Sequence, residues 1–425
     1  MPDGPAVPAA ACATMAPPVN AHARRFPLVD SLRGIAALMV LTLHAIGIFA
    51  GGTRPDAALR PYVARLESGV VVFLLISGFL LYRPFVRAHL HAEPVPATGA
   101  YAWRRFLRIV PAYWVALLIA AIAVPLTGVL TAKGIPTYFG FAQIYAAGTI
   151  GGGIAPAWTL GLELTFYAFL PLWAWGLRRV TPRGAPGALR TQVVGLVALI
   201  AFSELYKALV FAVGGAHNAR VSPALVALPG YIDEFAIGML LAVASVVLDD
   251  RPAPRAVAAL ARRPWLAWLG ALAAFLLVSR GIGLHGDAVG DVYTAPRYFA
   301  RNALYGLFAL LLIVPAVLGD ERRDAIRRLL GSRLLLWLGL ISYGIYLWHW
   351  PVLLRLSNWN LASVHGIHPY LLWGVTAGGL SIALGAASYY LVERPALSLK
   401  RLVGRPPAMP GEAIAEPAPA APASG

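Results

Sequence analysis

Apolar runs about twenty residues long recur along most of this chain, separated by short Arg-rich and Pro-rich pieces. About 20 helical residues are needed to cross the hydrocarbon core of a bilayer. Inside lipid every backbone amide must find its partner within its own segment, so such runs fold as helices. Ten candidate spans fall at about 28–50, 68–87, 106–128, 157–177, 191–213, 228–248, 264–283, 302–319, 335–356 and 369–392. The expected fold class is therefore all-α, a polytopic membrane bundle of about ten transmembrane helices. Only 13% of the residues are charged and 59% are hydrophobic, too little charge to cover a soluble protein of 425 residues.

The formal net charge of +16 does not point to nucleic acid, because the basic residues sit in the connectors between apolar runs. They concentrate on alternate connectors: Arg104, Arg105 and Arg108, then Arg178, Arg179, Arg183 and Arg190, then Arg322, Arg323, Arg327 and Arg328. By the positive-inside rule these connectors and both termini are expected in the cytoplasm, and the protein in the plasma (inner) membrane. Residues 1–22 lack a basic stretch followed by an apolar one, so no cleavable signal peptide is expected. They read as a disordered cytoplasmic tail, and 403–425 as a second, Pro/Ala-rich one. The folded unit is expected over 23–402. Cys12 is the only cysteine, which excludes an internal disulfide and a cysteine metal site.

Ionisable side chains within spans are costly and thereby nominate themselves as functional. Arg33 and His44 lie eleven residues apart in SLRGIAALMVLTLHAIG. At about 100° per residue this separation is three turns plus about 20°, so the two share a helix face about 16.5 Å apart. Snorkelling to the interface accounts for Arg33 alone but not for His44. In WTLGLELTFY, Glu163 falls about 9 Å inside its span, the same depth as His44 counted from the end of its own. A base and a carboxylate partner are expected from the two, against the plainer reading of a structural pair. Arg105 and Arg108, three apart, share a face at the mouth of the third span. With Arg33 they suit a phosphate-bearing ligand, although a topology signal gives the same composition. Ser77, Trp158 and Tyr167 are candidates for holding substrate, and His349 near Tyr343 and Tyr346 is another; each also fits packing or interfacial anchoring. Asp233 and Glu234 are weaker candidates, Glu393 and Arg394 read as a mutual pair, and His89 and His91 as solvated loop residues. No histidine spacing suggests metal ligation, and no metal site is expected. The Gly-rich connector 130–156 is long enough to fold back over the bundle.

These elements stand in a familiar order. LVDSLRGIAALMVLTLH, RRFLR, VVFLLISGFLL, WTLGLELTFYAFLP, YIDEFAIGM, SYGIYLWHWP and YYLVERPAL together resemble the acyltransferase 3 family of integral membrane acyltransferases over about residues 25–400. The resemblance implies O-acyl transfer, usually of acetyl, from acyl-coenzyme A as co-substrate, with no bound cofactor. The acceptor it implies is a hydroxyl of a cell-surface or exported glycan; the alternative is a small secondary metabolite such as a macrolide. It makes His44 the catalytic histidine; read from the residues, His44 is expected to act as base or through an acyl-histidine, with Glu163 orienting or charge-balancing its ring. Arg33, Arg105 and Arg108 then hold the donor. Some relatives carry a further hydrolase-like domain that has no counterpart after the last span here, so any second step falls to a separate extracytoplasmic partner enzyme. A transporter or flippase without chemistry is the reading from another class, and it favours broken helices in paired half-sites. The polar groups here divide instead into a basic level and a His/Glu level.

Overall fold

The computed structural model describes residues 26–47, 58–124, 126–215, 222–281, 292–318, 324–357 and 369–402. The tails expected at 1–22 and 403–425 lie outside the described residues. Ten principal helices follow one another: α1 (Pro27–Gly47), α2 (Ser68–Leu90), α3 (Thr98–Ala123), α4 (Trp158–Val180), α5 (Ala188–Gly214), α6 (Leu228–Asp250), α7 (Pro264–Arg280), α8 (Ala295–Val317), α9 (Ser342–Ser357) and α10 (Pro369–Ser388). No strand occurs among the described residues. Among the described residues, eight helical segments are long and apolar enough to cross a membrane. The other two expected spans are shorter helices. α7 has 17 residues. The run at 335–356 is broken at Ile341 into Arg333–Leu340 and α9. At the break the Ser342 hydroxyl donates to the Gly339 carbonyl at 2.8 Å, a local bond that competes with the helical ladder.

The bundle has an apolar core that also encloses its buried charges, and it turns further apolar side chains outward, as a bilayer solvent requires. α5 turns Val194, Val197, Leu205, Leu209 and Val213 outward. Its inner face buries Lys207 completely, and the ammonium bonds Asp233 of α6 at 2.7 Å and Glu204 at 2.6 Å. α2 and α6 lie backbone to backbone. A Cβ on Gly78 would stand 2.2 Å from the Phe235 carbonyl oxygen, and one on Gly238 2.1 Å from that of Leu75. Small residues permit such approach, and van der Waals packing drives helix association where no hydrophobic effect operates. α1 packs against α2, α9, α10 and the 333–340 helix. Arg327, fully buried, donates to the Pro315 and Leu318 carbonyls and so satisfies the last turn of α8.

Three sequence expectations are corrected here. Glu393 does not pair with Arg394; it is buried and meets Arg108 at 3.5 Å, because α3 runs beside the end of the last span. His89 is not solvated: it is buried on α2 between the Thr181 carbonyl (2.8 Å) and the Gln192 amide (2.7 Å). The eighth span starts at Ala295, not 302, which moves Arg301 from a connector into the second turn of a helix.

Candidate active site

α1 carries the site along one face. Its His44 ring lies parallel to that of His349 on α9, with centroids 5.1 Å apart. His44 Nδ1 and His349 Nε2 are 3.0 Å apart. The other His349 nitrogen, Nδ1, faces the Ile345 carbonyl at 3.3 Å. A carbonyl only accepts, so Nδ1 of His349 carries the proton and its Nε2 is the acceptor. His44 Nδ1 therefore donates, which leaves the lone pair of His44 on Nε2. Trp350 meets the His44 ring edge-on at 5.3 Å.

His44 lines a cavity of about 240 Å³ together with Trp158, Tyr231, Glu234, Arg301, Tyr346 and Trp350. Part of the 130–156 connector walls it through Ile150, Gly151, Ala155 and Pro156. That connector is tied down by Tyr113 donating to the Tyr138 carbonyl (2.9 Å) and by Gln143 donating to that of Ala157 (3.1 Å).

Toward the N-terminal end of α1 lie two smaller cavities. One, of about 40 Å³, shares Val70 and Tyr346 with the first and adds Arg33, Glu163 and Tyr343. The other, of about 70 Å³, shares Arg33, Glu163 and Tyr343 with the second and adds Ser77, Tyr167, Arg105 and Arg108. The three form a string from the arginines to His44.

Glu163 does not stand at the level of His44. Tyr167 donates to its Oε2 at 2.9 Å and Ser77 to its Oε1 at 3.4 Å, and it borders the two Arg33 cavities. The expected pairing with His44 assumed that both spans end at one height. Trp158, the first residue of α4, is the one level with His44, and Glu163 lies about 7.5 Å further along the helix. Ser77 and Tyr167 therefore orient a carboxylate rather than line the His44 cavity. Trp158 does line it, and Thr159 ties α4 to α9 through a 2.7 Å bond to the Tyr346 hydroxyl.

At the other end, no hydrogen bond or ion pair holds the Arg33 guanidinium among the described residues. Arg105 lies over the Tyr167 ring at 5.9 Å, and its buried Nε has no hydrogen-bond partner. Arg108 lies over the Tyr343 ring at 5.9 Å and is held by Glu393. The guanidinium groups of Arg33 and Arg105, with hydrogen-bonding capacity left over inside the bundle, are suited to an anion arriving from outside the protein.

Sequence reading missed one cluster. Arg301 donates to Glu67 at 3.3 Å and to the Asn302 carbonyl oxygen at 3.1 Å, and Tyr305 donates to Glu67 at 2.8 Å. Arg65 stands 3.8 Å from the same carboxylate. Arg301 looks like a connector residue only while the eighth span starts after it; a helix start set by Pro296 would have shown it as an in-span charge.

The sequence profile of one family, described as an acyltransferase domain, matches residues 27–390. The chain is 26% identical to Nodulation protein 10 of Rhizobium leguminosarum bv. viciae, over 87% of this chain and 93% of that one. It is 29% identical to the exopolysaccharide production protein ExoZ of Rhizobium meliloti, over 78% and 89%. Similarity to the acyltransferase MdmB of Streptomyces mycarofaciens is 28% over 37% of this chain and 42% of that one. No solved structure matches the chain.

Proposed function

The chain belongs to the acyltransferase domain family and is a multi-pass membrane acyltransferase, and from that premise we propose that it moves an acyl group, acetyl foremost, from acyl-coenzyme A to a hydroxyl of a cell-surface or exported glycan. The string of cavities carries this reading: three arginines at one end, a histidine whose lone pair is on Nε2 at the other, and between them a small cavity that shares walls with both. A donor with a polyanionic head and a reactive thioester on a thin arm has that shape. The relative named for exopolysaccharide production supports a glycan as acceptor.

In this reading Arg33, Arg105 and Arg108 take the phosphates of the donor from the cytoplasm, where both termini lie, in the plasma membrane. The acceptor hydroxyl enters the His44 cavity. His44 Nε2 accepts its proton as the oxygen attacks the thioester carbonyl, the new C–O bond forms, and the C–S bond breaks. The coenzyme leaves as thiolate and receives the proton back from Nε2. His349 holds the ring in the required tautomer and is a positioning residue. Glu163, in the same two cavities, offsets the charge of Arg33.

Membranes carrying the protein, given acyl-coenzyme A labelled in the acyl group, are expected to move label into glycan. His44→Ala is expected to lose about 100-fold or more in rate, the usual worth of a general base. Transfer by His44→Ala at the unaltered rate would dismiss the mechanism.

A further inference from the structure

We infer that the groove between α3 and α10 is the seat of one anionic glycerophospholipid, with an acyl chain along the groove and the phosphate at Arg355. This goes beyond the proposed reaction and does not depend on it.

The register of three helices makes the groove. Tyr343, at the start of α9, donates to the Ile109 carbonyl of α3 at 2.7 Å, and further along Leu356 of α9 and Val124 beyond α3 border the same space. The two helices therefore run side by side in one direction. Near its own start α3 packs against Tyr389–Glu393 and the short helices after it, and Trp103 donates to the Leu399 carbonyl at 3.2 Å. Toward its other end α3 parts from α10, and a groove of about 570 Å³ lies between them. Ala120 and Ala123 of α3 and Ala383 and Ala387 of α10 give it width. Leu380, Leu384 and Leu391 on its rim are exposed, so it opens sideways from the bundle. α9 is its floor. Trp348, Pro351, Val352, Arg355 and Leu356 line it at steps of three and four, which is one face of a helix. Tyr343, Tyr346 and Trp350 take the opposite face, toward the cavities around Arg33 and His44.

A groove open to a bilayer fills with hydrocarbon, because a bare wall forfeits dispersion contacts along its length. Apolarity alone sets no preference, since lipid tails are as apolar as the walls. Arg355 sets it. It is the one charged residue among those lining the groove, and it is exposed. It stands twelve residues past Tyr343, about 18 Å further along α9, at the end of the bundle opposite Arg105 and Arg108. The clustering of arginines on alternate connectors does not account for it there. A guanidinium pairs two phosphate oxygens at once. A phosphate held at Arg355 directs the attached chain along Val352 and Trp348 toward Leu391 and Val392. The choline of a zwitterionic lipid would bring a second cation beside Arg355, whereas a glycerol head group leaves a net negative charge to meet it.

The test is photolabelling of the full chain in nanodiscs of phosphatidylglycerol and phosphatidylcholine in equal parts, one lipid at a time carrying a diazirine in its acyl chain. Labelled peptides are mapped by mass spectrometry. Phosphatidylglycerol is expected to label 348–356 and 380–391 about fivefold more than phosphatidylcholine, the worth of one arginine near a membrane surface. Arg355→Gln, checked for helix content and monodispersity, is expected to bring the two lipids level at these peptides while label beside Arg178 and Arg179 keeps its ratio. Ala387→Trp fills the groove from an exposed position without altering charge, and is expected to lower label from both lipids at 348–356 by about threefold or more. Equal labelling by the two lipids in the unsubstituted protein overturns the inference. So does a ratio that survives Arg355→Gln in folded protein, or label that Ala387→Trp leaves unchanged. Farnesyl phosphate in excess is expected to displace less label than unlabelled phosphatidylglycerol; the reverse order assigns the groove to an isoprenoid phosphate and overturns the choice of occupant. Cross-links between two copies of the chain through 380–391, in place of lipid label, overturn it as well.

Discussion

At the scale of single residues, the site depends on which nitrogen carries which proton. The Ile345 carbonyl orders the His349 tautomer, and His349 orders that of His44. Removing the middle member should leave His44 in place with its lone pair free to move to the wrong nitrogen. His349→Ala is therefore expected to lower kcat by about 10- to 100-fold with little change in the donor KM. His349→Gln keeps a carbonyl oxygen that can accept from His44 Nδ1 and should recover part of the loss. Equal kcat in the two variants, measured by label transfer, would reduce His349 to a packing residue. Glu163 illustrates the complementary point. Its role follows from Tyr167, Ser77 and nearby Arg33, not from the histidine with which sequence depth had matched it.

At the scale of helices, two devices hold the elements together. The first is close backbone contact through glycine. Gly78→Leu must push α2 away from α6, since even a Cβ would overlap the Phe235 carbonyl. A loss of about 1–3 kcal/mol is expected, the usual range for overpacking. Gly176→Ala is the contrast: a Cβ there meets nothing within 4 Å, and α4 should gain up to about 1 kcal/mol of helix propensity. Thermal unfolding in detergent should separate the two by sign. The second device is the buried Lys207 clasp between α5 and α6. Lys207→Met strands the carboxylate of Asp233 and should destabilise by about 3–5 kcal/mol. A Tm unchanged from that of the unsubstituted protein would show that Asp233 finds another partner.

At the scale of the whole molecule, function needs the ends of the bundle to communicate. Val70 borders both the His44 cavity and the narrow one next to it. Val70→Trp should close the passage, abolishing transfer while donor affinity stays within about threefold, since no arginine is touched. Retained transfer would mean that the donor takes another route. Arg105→Glu probes the opposite end: it should raise the donor KM by about tenfold or more and leave acceptor binding unaffected. A donor KM equal to that of the unsubstituted protein would make the arginines a matter of topology alone.

The apolar runs by themselves determined the fold class, because lipid allows helices of one length and little else. They also exposed Arg33, His44 and Glu163, since a charge or imidazole in such a run stands out against its neighbours. Pattern did not carry the relations between helices. The His44–His349 bond joins residues 305 apart, and the Arg301–Glu67 bond residues 234 apart. Glu67 and Arg301 read as connector charges until the helices around them are placed. Those pairings depend on the relative height and rotation of helices, and tertiary packing sets both. Periodicity along one helix gives a face and a spacing; only the assembled bundle shows what that face meets.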